Sequence, residues 1–70
     1  MSKPLADILR ILAAGGGVSL DSATPTADLI RIAANAGPET TIIVRNAALK
    51  PTDELVKISQ SARGRVLFEL

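Results

Sequence analysis

The sequence predicts an α/β fold: three helix–strand repeats, a three-stranded parallel sheet in the order 1-2-3, helices on one face, and a short curved solenoid overall. Three observations lead there. A helical segment recurs as Pro4-Leu5-Ala6-Asp7-Ile8-Leu9-Arg10-Ile11, Pro25-Thr26-Ala27-Asp28-Leu29-Ile30-Arg31-Ile32 and Pro51-Thr52-Asp53-Glu54-Leu55-Val56-Lys57-Ile58. Each copy reads proline, two residues, acid, two aliphatics, base, isoleucine. A short apolar stretch follows each copy, and Val18–Asp21, Ile42–Arg45 and Val66–Glu69 superpose at a constant offset of 24. Within those stretches, apolar residues alternate with others that include a charge, so one strand face is buried and the other is not. The chain reads as a single domain, 1–70, with repeats at about 4–21, 25–45 and 51–70.

Helix 1 places Leu5, Ile8, Leu9 and Leu12 on one face. Proline suits the first turn of a helix, where its missing N–H costs nothing. The acid near the start and the base one turn later suit the helix dipole and stand at i,i+3 spacing. Helix 2 aligns Leu29, Ile32, Ala33 and Ala36, with Thr24 expected as its N-cap; helix 3 aligns Leu55, Ile58 and Ala62. Gly15, Gly37 and Gly64 fall just past the helix ends, where a left-handed residue commonly closes the last turn.

The strands decide the architecture. Val18/Leu20, Ile42/Val44 and Val66/Phe68 share one face, while Ser19/Asp21, Ile43/Arg45 and Leu67/Glu69 share the other. Parallel strands packed on both faces would be apolar on both. Stacked in order, Asp21, Arg45 and Glu69 form a column of alternating sign, each neighbouring pair worth about 0.2–1 kcal/mol. Strands about 4.8 Å apart under helices that need about 8–10 Å make the sheet curve, with the strands inside.

The stretch Ile42-Ile43-Val44-Arg45-Asn46-Ala47-Ala48-Leu49, followed by the helix from Pro51, resembles the strand-and-asparagine signature of leucine-rich repeats. The resemblance covers about one repeat, and Ser22 stands at the asparagine position of the first. It implies the solenoid architecture and no particular site residues.

Composition narrows the function. Cysteine and histidine are absent, which excludes disulfides and leaves carboxylates as the only common metal ligands. A single aromatic residue, Phe68, and a net charge of +1 give little with which to stack bases or attract a polyanion. No apolar run is long enough to span a bilayer, and Asp7 and Arg10 interrupt the first apolar stretch as they would not in a signal peptide. A cytoplasmic protein is expected.

Candidate chemistry is sparse. Gly15-Gly16-Gly17 precedes a strand, whereas phosphate loops follow one and open a helix. The acids Asp7, Asp28 and Glu54 and the bases Arg10, Arg31 and Lys57 read as a solvated face with local ion pairs. Arg63-Gly64-Arg65 reads as a capped helix end. Asp53 and Glu54 are neighbours that diverge on a helix, and the serines have no histidine to activate them. No enzyme activity, cofactor or metal is expected.

The open edge carries the functional expectation. Arg65, Val66, Leu67, Phe68, Glu69 and Leu70 form a proline-free edge strand with no capping segment expected beyond it, a template for pairing with another chain. Ile43, Arg45, Leu67 and Glu69 make a small patch on the concave face. The expected function is a non-enzymatic protein–protein interaction or self-assembly module that forms a homo-oligomer through this edge. A two-fold dimer is favoured over a head-to-tail ring or filament, because the latter sets Glu69 beside Asp21 of the next copy. The alternative is a small nucleic-acid-binding protein using Arg45, Arg63 and Arg65.

Overall fold

Each helix springs from its proline. In a computed structural model that describes residues 3–70, the elements are α1 (Leu5–Ala13), β1 (Val18–Asp21), α2 (Thr26–Asn35), β2 (Thr41–Arg45), a 3-10 turn (Ala47–Leu49), α3 (Thr52–Ser61) and β3 (Arg65–Phe68). Pro4, Pro25 and Pro51 are the N-caps, with φ of −59°, −54° and −58° and ψ of 149°, 140° and 144°. The pyrrolidine ring fixes φ, and the proline carbonyl begins the helical hydrogen bonds. Pro4 O accepts from Asp7 N–H at 3.0 Å and from Ile8 N–H at 3.2 Å, and the other two prolines repeat the pattern. The prolines thus sit one residue outside the first turn. Thr24, expected as a cap, lies further out; its N–H donates to Asp21 O at 3.0 Å, and its buried hydroxyl has no partner among the described residues.

The helices end differently from one another. Gly15 is left-handed at φ 94°, as expected. α2 and α3 instead end on the extended residues Ala36 and Ala62, and neither Gly37 nor Gly64 has a positive φ. Gly64 has another reason to be glycine: a Cβ there would overlap the carbonyl oxygens of Gly37 and Thr40. The chain is drawn that close because Arg63 N–H donates to Ala33 O at 3.3 Å and Arg65 N–H to Thr40 O at 2.9 Å.

The strands form one parallel sheet in the order β1-β2-β3. The register sets Val18 against Ile42, Asp21 against Arg45, Ile42 against Val66 and Val44 against Phe68, the offset of 24 read from the sequence. β2 and β3 each start one residue earlier than the alternation suggests. Glu69 lies just beyond β3, yet its N–H donates to Val44 O and its carbonyl accepts from Ala47 N–H, both at 2.9 Å.

One core lies between sheet and helices. Ile8 and Leu12 of α1, Leu29, Ile32 and Ala33 of α2 and Ile58 of α3 share it with Leu20, Ile42 and Val44. Burying an aliphatic side chain of this size contributes about 1.5–3 kcal/mol. On the opposite sheet face Ser19, Arg45, Leu67 and Glu69 are exposed and Ile43 is half-buried.

The links after β1 and β2 differ in length. Ser22 N–H and Ala47 N–H make equivalent bonds, to Arg45 O and Glu69 O, each at 2.9 Å. Ser22 is therefore the counterpart of Ala47, and Asn46 is an extra residue held left-handed at φ 56°. The Leu49 side chain, on the 3-10 turn, is 82% exposed and does not join the core.

Candidate interaction site

β3 forms one edge of the sheet, and its side chains divide by parity. Val66 and Phe68 are half-buried against the core, while Arg65, Leu67 and Glu69 face away from it and are exposed. Leu67 is 53% exposed and lies directly opposite Ile43, so the two aliphatics form a contiguous patch. Leu70, at 86%, extends the apolar edge. The total exposed area, 4297 Å², is close to the value of about 4,200 Å² that a monomer of this mass shows. What marks this edge is therefore which residues are open, with no excess of area.

Of the described charged groups on the outer face, Asp21 is the one held by hydrogen bonds. Arg45 stands beside Asp21, with Glu69 on its other side in the continued ladder. The Asp21 carboxylate accepts from Ala23 N–H at 2.8 Å and from Asn46 Nδ2 at 2.8 Å. Those two bonds, in that order, hold its carboxyl below the usual carboxylate range against the opposing effect of burial, and the Arg45 charge adds a lesser push downward. The Asp21–Asn46 bond also ties the end of β1 to the link that follows β2.

The structure does not gather the three arginines of the nucleic-acid reading. Arg65 pairs with Thr41 at one end of the sheet, while Arg45 lies four residues along β2, about 13 Å away. Arg63 precedes β3 altogether. Among the described residues no three acidic side chains come together as metal ligands, and no helix is long and apolar enough to cross a membrane.

A second constellation was not singled out in the sequence. Thr26, at the start of α2, donates its hydroxyl proton to Glu54 of α3 and accepts from Lys50 Nζ at 2.8 Å. Glu54 thus reaches back to the preceding helix, contrary to a purely local pairing with Lys57. The signal was present in the sequence: Lys-Pro-x-x-acid occurs at 50–54 and again at 3–7. Its meaning depends on which helix stands alongside.

The same position in each helix meets a different neighbour. Ile32 and Ile58 follow their prolines by seven residues and are 0% and 1% exposed; Ile11, at the same place in α1, is 40% exposed. On the other side, Leu12 and Ala33 are buried while the equivalent Ser59 is exposed. A cleft of about 230 Å³ opens between α1 and the β1 edge, lined by Lys3, Ile11, Val18 and Leu20 among others. A shallower groove along α1 is lined by Lys3, Asp7, Arg10, Ile11 and Ala14.

No protein-family model, curated protein or solved structure matches the chain.

Proposed function

We propose that this protein is a non-enzymatic interaction module that self-assembles through the β3 edge, Arg65–Leu70. The reading includes the short, curved solenoid of leucine-rich-repeat type and a cytoplasmic setting, both of which rest on sequence pattern and composition. The observation that carries it is the open strand edge itself. Val66 and Phe68 are only half-covered, and Leu67 and Leu70 are exposed beside it. An unpaired strand edge with apolar side chains and no proline is a template for a further strand. The Ile43–Leu67 patch adds contact area on the outer face, flanked by Arg45 and Glu69.

The test is molar mass against concentration by light scattering or sedimentation. Wild type is expected to assemble in the micromolar range, and replacing Leu67 by Lys together with Phe68 by Pro is expected to leave monomer or unfolded chain. A wild type that stays monomeric through that range overturns the proposal. The nucleic-acid alternative is not favoured by the separation of Arg45 from Arg65. It predicts salt-dependent RNA or DNA binding at 50 mM salt, roughly tenfold or more weaker by 200 mM.

A further inference from the structure

The contact that joins α3 to α2 within the chain has its two halves repeated, unengaged, at opposite ends of the molecule. Inside, Thr26 is held between Lys50 and Glu54. At the α1 end, Lys3 and Asp7 stand at the same places relative to Pro4 as Lys50 and Glu54 do relative to Pro51, and both line the groove along α1. At the α3 end, Thr52 follows Pro51 as Thr26 follows Pro25, and it is exposed. None of these three side chains makes a hydrogen bond among the described residues. The apolar positions match in the same way. Leu9 and Ile30 are half-buried against the core, while the equivalent Val56 is 46% exposed; Ile11 is the open counterpart of Ile32 and Ile58. The sheet supplies an open edge at each end, β1 and β3.

We infer that the occupant of the α1/β1 end is the α3/β3 end of a second copy, which seats its Thr52 between Lys3 and Asp7 and packs its Val56 on Ile11. The inference rests on the proposed self-association through β3 and adds the surface that receives it. A head-to-tail contact of this kind does not use up its own ends, so it builds a ring or a filament. One feature opposes it: continued register sets Glu69 beside Asp21 of the next copy. In a two-fold antiparallel β3 pair centred on Leu67, Glu69 would instead face Arg65.

Two single variants and their mixture decide between these arrangements. Ile11→Glu and Val56→Glu alter exposed positions, and circular dichroism checks that both stay folded. Each alone is expected to be monomeric at concentrations where wild type assembles, with association weakened at least tenfold. Mixed one to one, they are expected to form a dimer that grows no further, because each retains one intact end. Glu69→Gln is expected to tighten wild-type assembly severalfold. If Ile11→Glu associates like wild type, or the mixture stays monomeric, the head-to-tail contact is overturned while self-association through β3 stands. A monomeric wild type overturns both.

Discussion

The middle repeat and its two neighbours share one sequence pattern but not one environment. Ile32 is fully enclosed between neighbours, whereas Ile11 is 40% open. Ile42 and Val44 of β2 are 2% and 0% exposed, while Val18 of β1 and Val66 of β3 are half-buried. The same residue type thus contributes core energy where a neighbouring unit covers it, as at Ile32 and Ile58, and contact surface where none does, as at Ile11. What a side chain contributes here is set by the unit standing next to it more than by its place in its own helix.

The largest expected effect separates those two isoleucines. Ile32→Ala should cost about 2–5 kcal/mol, because its neighbours cannot collapse fully into the space. Ile11→Ala, measured at concentrations where the chain is monomeric, should cost within about 1 kcal/mol. Urea unfolding of both variants tests the contrast, and equal losses would break it. A second pair compares glycines. Gly64→Ala drives a methyl into two carbonyl oxygens and should cost about 1–3 kcal/mol. Gly37→Ala meets only the Thr40 hydroxyl at 3.5 Å and should be neutral or slightly stabilising.

The smallest effect concerns Asp21. Its carboxyl is held below its unfolded value, so its contribution to stability is complete above the unfolded pKa and is lost as pH falls through the folded one. Asn46→Ala removes the second of the bonds that lower it. Carboxyl NMR should then show the Asp21 midpoint moving upward, and an unchanged midpoint would mean that the Ala23 bond and Arg45 suffice without Asn46.

Strand order and register were legible because alternation with period two and the fixed offset constrain every side chain at once. A slip of one residue would have put Ile42 and Val44 in solvent. The helix faces were legible for the same reason. What stayed hidden depended on parts of the chain far apart in sequence. Gly64 looks like a helix cap until Gly37 and Thr40 are seen to lie against it. Thr24 looks like an N-cap until the proline beside it takes that place. Lys50, Thr26 and Glu54 are unremarkable separately, and the Lys-Pro-x-x-acid spacing gains meaning only with a neighbouring helix in position. The sequence also aligned Ser22 with Asn46, since the strands keep one offset while the links after them do not.

That last difference bears on how the chain tolerates change. The link after β1 reaches Pro25 through residues 22–24, and the link after β2 reaches Pro51 through residues 46–50. Both β1–β2 and β2–β3 nevertheless keep the same stagger. A left-handed asparagine and one 3-10 turn absorb the longer connection outside the ladder. This link acts as a length buffer: it decouples the spacing of successive helices along the chain from the pairing of the strands. Ala48 and Leu49, both turned to solvent, are accordingly where a peptide tag or a spectroscopic label can be inserted with least disturbance to the sheet, whereas Ala47 is buried and its N–H bonds to Glu69 O.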